Sequence, residues 1–107
     1  NSGGKQPVSN ADIYIVSSGS GTLEKAFELS EKLRNDIKGI KVEMNLGGGT
    51  FKSQMKRADK SGAKFALIIG EQELIDGNIG IKPMRNNDEQ VSIDFKKLTE
   101  TLKSKLN

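Results

Sequence analysis

Residues 42–74 read VEMNLGGGTFKSQMKRADKSGAKFALIIGEQEL, and this stretch decides the fold. Residues 40–44 alternate apolar and charged side chains, which indicates a strand near the edge of a sheet. Residues 64–69 form another strand, and its apolar run FALII implies cover on both faces. Three glycines break the chain between the two strands, and Thr50 then offers the hydroxyl of a helix N-cap. The predicted helix has a narrow apolar seam of Phe51, Met55, Ala58 and Gly62.

A similar strand and helix precede this stretch. Residues 13–16 (IYIV) predict a short buried strand, bounded by serines and glycine. A helix follows from Thr22 to about Lys38, where Gly39 suits the C-terminal cap. The inward stripe of this helix is predicted to contain Leu23, Ala26, Phe27, Ser30, Leu33 and Ile37. Three strands separated by two helices make two successive βαβ units, with parallel strands and right-handed crossovers.

The remainder of the chain predicts a hairpin and a last helix. A short helical turn through Glu73 and Leu74 leads to strands at residues 79–84 and 90–93, joined by a turn around residues 86–87. The last helix has an inward face of Phe95, Leu98, Leu102 and Leu106. We therefore predict an α/β fold with three layers, α/β/α, built on a mixed five-stranded sheet.

Length and composition limit both the organisation and the chemistry of the chain. Its 107 residues fit one domain, which we place at residues 12–107 after a flexible lead-in or linker at residues 1–11. The absence of Cys and His excludes disulfides, thiol nucleophiles, the usual zinc sites and His acid–base catalysis. No apolar run approaches the ~20 residues of a membrane span. The chain begins with Asn1 rather than Met, so we expect a fragment of a longer protein.

The positive charge is concentrated in one segment. The net charge is +3, with a pI near 9.2. Residues 52–64 hold five basic residues against Asp59 alone, so this window carries more than the whole net charge. The basic residues are Lys52, Lys56, Arg57, Lys60 and Lys64. A localised basic patch is typical of a nucleic-acid contact, although the ordinary alternative is a solvated helix face.

The glycines and the basic helix together make the first candidate site. Residues 47–49 expose backbone amides at a helix N-terminus, and Lys52 adds a charge that favours an anion. Lys56 continues from Lys52 at helical spacing along a phosphate backbone, and Arg57 offers a bidentate contact. Phe51 is placed to stack on an unpaired base of a single-stranded RNA loop. The alternative for Phe51 is packing in the core.

Two carboxylates make the second candidate site. Glu71 and Glu73 follow the third strand, where open parallel sheets bind ligands. They are able to accept hydrogen bonds from a base. The alternative is a helix N-terminus that is stabilised by acidic residues without any ligand. No third metal ligand, nucleophile elbow or Walker loop accompanies them, so we expect no catalysis and no metal site in this chain.

A third candidate site concerns nucleotide cofactors. Residues 18–22 (SGSGT), between the first strand and helix, resemble the opening of a dinucleotide-binding fingerprint. The third glycine of that pattern is replaced by Glu24, whose charge repels phosphate. Glu43 lies near the position of a ribose-binding acid. A nucleotide-binding α/β module therefore stays an alternative, and a tight turn is the ordinary explanation.

Two blocks of sequence carry a family resemblance. Residues 42–63 resemble the glycine loop and basic helix of the C-terminal anticodon-binding domain of histidyl-tRNA synthetases. Residues 65–74 (FALIIGEQEL) resemble the strand and Gly-Glu-x-Glu turn that follow there. The likeness extends over nearly the whole chain. The threonine, proline and glycine enzymes of class IIa share this domain, but their loop usually differs, so the Gly-Gly-Gly-x-Phe-Lys run favours the histidine enzyme.

The resemblance implies a sheet with strand order 2-1-3-4-5 in which strand 4 is antiparallel. It implies a cytoplasmic, homodimeric parent enzyme that joins histidine to its tRNA, using ATP and Mg in a catalytic domain outside this chain. No cofactor is expected in this module, whose partner would be the anticodon stem-loop of tRNA. The expected tRNA-binding residues, with Arg57 added for its charge, are Gly48, Gly49, Thr50, Phe51, Lys52, Gln54, Lys56, Arg57, Glu71 and Glu73. Another class IIa synthetase, or a relative that uses the fold for assembly or regulation, remains an alternative.

Overall fold

A computed structural model describes residues 10–107 of the chain. Most of the predicted lead-in, residues 1–9, lies outside the described residues. Ala11, the last residue of the predicted lead-in, is among the described residues. It is buried, and its backbone N–H donates to the carbonyl of Ser61 at 3.4 Å. The placement of the domain boundary stays a prediction.

The chain alternates strands and helices before it ends in a hairpin and a helix. The elements are β1 (Ile13–Ser18), α1 (Thr22–Asp36), β2 (Val42–Met44), α2 (Phe51–Lys60), β3 (Phe65–Gly70), α3 (Glu71–Asp76), β4 (Asn78–Pro83), β5 (Val91–Asp94), a 3₁₀ turn (Phe95–Lys97) and α4 (Leu98–Leu106). No helix within residues 10–107 is long and apolar enough to cross a membrane.

The five strands form one mixed sheet in the order β2-β1-β3-β4-β5. β1 pairs in parallel with both β2 and β3, whereas β4 is antiparallel to β3 and to β5. The α/β fold, the strand order and the antiparallel fourth strand are therefore confirmed. The parallel half of the sheet follows from the two βαβ units, and the hairpin supplies the antiparallel half.

Two cores lie on opposite faces of the sheet, and they confirm the three layers. One face is covered by α1 and α4, which bury large aliphatic side chains such as Ile15, Leu33 and Leu102. The other face is covered by α2, where the core consists mainly of small residues such as Ala58 and Ala66, with Tyr14 and Val16. The alternation of Ile13 to Val16 between the two cores is the two-residue period of a strand covered on both sides.

The predicted inward stripe of α1 is partly wrong. Leu23 and Phe27 are exposed, whereas Leu29, which the stripe omitted, is buried. The reason lies in the position of β2. Because β2 is the edge strand, no further strand of the sheet covers the side of α1 on which Phe27 lies.

The predicted seam of α2 and the predicted start of β2 also need correction. The buried residues of α2 are Gln54 and Ala58, while Phe51 is half exposed. β2 begins at Val42 rather than at residue 40. A turn in which Ile40 N–H donates to the carbonyl of Ile37 precedes it.

Candidate nucleic-acid interface

The candidate site lies at the carboxyl edge of the three parallel strands. β1, β2 and β3 end at Ser18, Met44 and Gly70, so the segments that follow them meet at one edge of the sheet. This is the edge at which open α/β sheets bind their ligands. The glycine loop (residues 45–50), the β1–α1 loop (residues 19–21) and the start of α3 form this edge.

The end of the glycine loop has a backbone that only glycine adopts readily. Gly48 and Gly49 have φ of 67° and 100°. A Cβ on Gly49 would lie 2.6 Å from Ser53 Oγ, so steric crowding adds to the conformational demand. Thr50 then begins α2 as predicted, because its hydroxyl accepts a hydrogen bond from Ser53 N at 3.1 Å.

Gln54 holds the glycine loop against the end of β1. Its side chain is 1% exposed. Nε2 donates to the carbonyls of Ser17 and Gly49, both at 3.1 Å, and Oε1 accepts from Ser17 N at 3.2 Å. Because each polar atom of this amide has a backbone partner, Gln54 acts on the shape of the site rather than on its outer surface.

Arg57 and Asn45 hold the other side of the glycine loop. Arg57 Nη1 donates to Asn45 Oδ1 at 2.8 Å and to the carbonyl of Gly48 at 2.9 Å. Asn45 Nδ2 donates to the same carbonyl at 2.9 Å, and the hydroxyl of Tyr14 donates to Asn45 Oδ1 at 3.1 Å. Asn45 was not among the residues expected from the sequence. The available signal was a polar residue that directly follows a strand and lies two positions before a run of glycines.

Tyr14 is a titratable group buried beneath this network. Burial raises the pKa of its hydroxyl, the positive charge of Arg57 lowers that pKa, and the negative charge of Glu43 raises it further. The net pKa is above the usual value, because removal of the hydroxyl proton would leave a poorly solvated charge. The hydrogen bond from Tyr14 to Asn45 is therefore retained throughout the neutral range.

Glu71 and Glu73 lie at the same edge and bond to backbone amides. Glu71 Oε2 accepts from Ser20 N at 2.7 Å, which joins the start of α3 to the β1–α1 loop. Glu73 Oε1 accepts from Gly70 N at 2.8 Å and caps α3. The amide of Ser20, which a dinucleotide phosphate would need, is thus already bonded to a carboxylate. This geometry disfavours the nucleotide-binding alternative.

The outer face of α2 carries exposed cations. Phe51 is 50% exposed at its start, and Lys52, Lys56 and Lys60 follow on exposed positions. Among residues 10–107 these three lysines form no ion pair. Asp59, the acidic residue of the window, pairs with Arg85. The charge of the three lysines is therefore available to an anionic partner.

The structure brings the expected binding residues to one edge but divides them into two groups. Gly48, Gly49, Thr50, Phe51, Lys52 and Lys56 offer backbone or side chains at the loop and the exposed helix face. Gln54, Arg57 and Glu71 instead bond to the backbone of the loops, and Glu73 bonds to the backbone at the start of α3. Residues 10–107 contain no group of three or more His, Cys, Asp or Glu side chains that could hold a metal ion.

Comparisons with known proteins agree with one another. A family model described as "Anticodon binding domain" matches residues 12–105. A histidine–tRNA ligase from Nitrosomonas europaea is 51% identical over 84 residues, which cover 78% of this chain and 20% of the relative. A histidine–tRNA ligase from Hydrogenovibrio crunogenus is 42% identical over 95 residues, which cover 89% of this chain and 22% of the relative.

A solved structure shows the same likeness. The crystal structure of apo S. aureus histidyl-tRNA synthetase is 36% identical and has a TM-score of 0.77, over 87% of this chain and 26% of that one. The chain spans about a fifth of the length of the curated relatives it matches.

Proposed function

The chain belongs to the family of anticodon binding domains, and from that premise we propose that it binds the anticodon loop of tRNA as a module of a histidine–tRNA ligase. One observation carries the proposal: an exposed row of lysines runs from a glycine loop whose backbone is fixed by the side chains of Gln54 and Arg57. Such a row supplies phosphate contacts, and the fixed loop beside it supplies amides for base edges.

The predicted binding residues take two roles in this proposal. Lys52 and Lys56 neutralise phosphates, and Phe51 stacks on an unpaired base. Gly48, Gly49 and Thr50 present the backbone of the loop to the RNA. Gln54, Arg57 and Glu71 support RNA binding by holding the loops in place, and Glu73 supports it by capping α3, since their side chains already bond to backbone groups.

The remaining expectations concern the parent enzyme. We propose that it is a cytoplasmic homodimer that attaches histidine to tRNA, with ATP and Mg bound in a catalytic domain outside this chain. The proposal rests on the identity of 51% and 42% to histidine–tRNA ligases, of which this chain covers about a fifth. The module itself contributes affinity and placement of the tRNA.

An NMR titration tests the function. An anticodon stem-loop RNA with the histidine anticodon should shift the amide signals of residues 47–56, and its affinity should fall as salt rises. An unrelated hairpin of the same length is the control and should bind more weakly. Equal affinity for both hairpins, or shifts confined to residues 18–24 on addition of nucleotide, would contradict the proposal.

The alternative within the family is the anticodon-binding domain of a threonine, proline or glycine enzyme. Stem-loops with those anticodons distinguish the candidates directly, because the histidine module should prefer its own loop. The Gly-Gly-Gly-x-Phe-Lys run and the named relatives both favour the histidine enzyme.

A further inference from the structure

An open groove runs between α1 and the edge strand β2, away from the basic face of α2. Residues of α1 at helical spacing, among them Phe27 and Arg34, form one wall. Residues of β2 and the following loop form the other wall, ending in Met44 and Leu46. The groove has a volume of about 340 Å³, which lies in the range of small-molecule sites.

Two large apolar side chains at the groove are exposed over half or more of their surface. Phe27 is 52% exposed and Leu46 is 66% exposed. A phenyl ring and a branched aliphatic chain facing an open space are suited to a flat apolar ligand. Leu46 directly precedes Gly47, so the groove is continuous with the glycine loop of the proposed RNA surface.

A buried hydroxyl beside the groove has no hydrogen-bond partner among residues 10–107. Ser30, which lines the groove, is 1% exposed, and its Oγ forms no hydrogen bond within the described part of the chain. An unpaired buried polar group lowers stability, and most buried polar groups in folded proteins have a hydrogen-bond partner. A ligand with hydrogen-bonding atoms along its edge would supply the missing partner.

The open edge of β2 selects against a peptide strand as the ligand. Ile13 N donates to the carbonyl of Lys41, and Asn45 N donates to the carbonyl of Ile15, so the backbone groups of the intervening Val42 point away from β1. Arg34 Nη2 already donates to the Val42 carbonyl at 3.2 Å. A strand added to this edge would have to displace that guanidinium.

We propose that this groove binds a single unpaired nucleobase of the RNA, resting on the proposed function of the module. The base lies against Phe27 and Leu46, and its polar edge bonds to the hydroxyl of Ser30. Stacking on an aromatic ring and hydrogen bonding at the edge are the general means by which proteins hold splayed-out bases. The RNA would thus contact both sides of the glycine loop.

The first test combines Phe27→Ala with abasic RNAs. Each loop nucleotide of the anticodon stem-loop is replaced in turn by an abasic one, and affinity is measured by fluorescence anisotropy. In the unchanged protein one abasic position should weaken binding about tenfold, as for the loss of one stacked base. Phe27→Ala should weaken binding of the intact RNA by a similar factor. In this variant, the abasic change at that same position should cause no further loss of affinity.

Leu23→Ala is the matched control, since Leu23 lies one turn earlier on α1, is partly exposed and does not line the groove. It should leave affinity unchanged. The proposal would be overturned if Phe27→Ala lowered the affinity for every abasic RNA by the same factor. So would a dimer in sedimentation that Phe27→Ala dissociates, because the groove would then hold a second copy of the chain.

The second test uses Ser30→Ala. Removing an unpaired buried hydroxyl should leave the melting temperature equal or higher, while RNA affinity falls several-fold. If Ser30 had a structural role alone, its replacement would not lower RNA affinity while leaving the melting temperature equal or higher. An unchanged affinity would remove the hydroxyl from the site.

The two proposals fail differently. If the groove is wrong but the function is right, the stem-loop binds and responds to changes in Lys52 and Lys56 but not to Phe27→Ala. If the function is wrong, the unchanged protein shows no preference for the anticodon stem-loop in the first place.

Discussion

The side-chain amide of Gln54 forms two hydrogen bonds with the backbone of Ser17, donating to its carbonyl at 3.1 Å and accepting from its N–H at 3.2 Å. The backbone at the end of β1 is thereby held by a side chain of α2 that lies 37 positions later in the sequence. Because Gln54 also donates to Gly49, one amide connects the end of β1 to the glycine loop.

Replacing Gln54 with Ala should therefore lower both stability and RNA affinity. It leaves partly buried backbone groups of Ser17 unpaired, at a cost of about 1–3 kcal/mol in the free energy of unfolding. Urea denaturation measures this loss. Gln72→Ala is the control, since Gln72 is exposed and its side chain bonds to Asp76 on its own helix, and it should change stability by less than about 0.5 kcal/mol. Equal effects of both changes would show that the hydrogen bonds of the Gln54 side chain contribute nothing to stability.

Reversing the charge of Lys52 and Lys56 tests the basic face. The double change to Glu should weaken stem-loop binding strongly and reduce the log–log salt slope by about 0.7 for each phosphate that the protein no longer neutralises. Stability should stay within about 0.5 kcal/mol for each position, because both lysines are exposed. Lys96→Glu with Lys97→Glu changes the net charge equally on the other side of the sheet. If this control weakens binding as much as the double change on α2, the net charge of the protein attracts the RNA rather than the basic face of α2.

The glycine loop offers a matched pair of substitutions. Gly49→Ala places a Cβ 2.6 Å from Ser53 Oγ in a residue with φ of 100°, so we expect a loss of more than about 1 kcal/mol in stability. Gly47→Ala meets no atom closer than 3.9 Å, and its φ is not positive, so it should be tolerated. Thermal unfolding and RNA affinity of the two variants provide the comparison. A stable Gly49→Ala would mean that the loop does not need this conformation.

Tyr14 should titrate above its ordinary value. The chain contains one tyrosine, so the ultraviolet absorbance of phenolate reports on Tyr14 alone. Its pKa is raised in the folded state, which therefore holds the proton more tightly than the unfolded state does. The free energy of unfolding is accordingly unaffected by this group below about pH 10 and falls as pH rises from there through the folded pKa.

Two variants check the sign of the Tyr14 prediction. Glu43→Gln removes a negative charge that raises the pKa, so the phenolate should form at lower pH than in the unchanged protein. Tyr14→Phe removes the absorbance change and its share of the alkaline loss of stability. An upward shift for Glu43→Gln would contradict the assignment of the electrostatic causes.

Much of the fold follows from local patterns. The apolar runs at β1 and β3, the glycine breaks and the hydroxyl of Thr50 specify elements through contacts between near neighbours, and each appears where the sequence predicts it. The face of α1 was harder to predict. Whether Phe27 is buried depends on how far the sheet extends beyond β1, and the sheet ends at β2.

The site shows a similar division. The exposed positions of Lys52 and Lys56 follow from helical spacing on a basic face. The inward position of Gln54 does not, because a polar residue is buried only where distant backbone groups satisfy it. The bond between Glu71 and Ser20 likewise joins residues 51 positions apart. Such pairs become visible only when the strands are placed side by side.

The bonds that Gln54, Arg57 and Glu71 make with the loops have a consequence for the kinetics of binding. Segments that are already fixed relative to one another lose little conformational entropy when a partner arrives. Encounter then resembles the docking of a rigid surface, and RNAs that bind at similar rates are separated by how long each one stays. Discrimination between tRNAs would therefore reside in dissociation rates, and loosening any of these bonds would shorten the lifetime of the cognate complex.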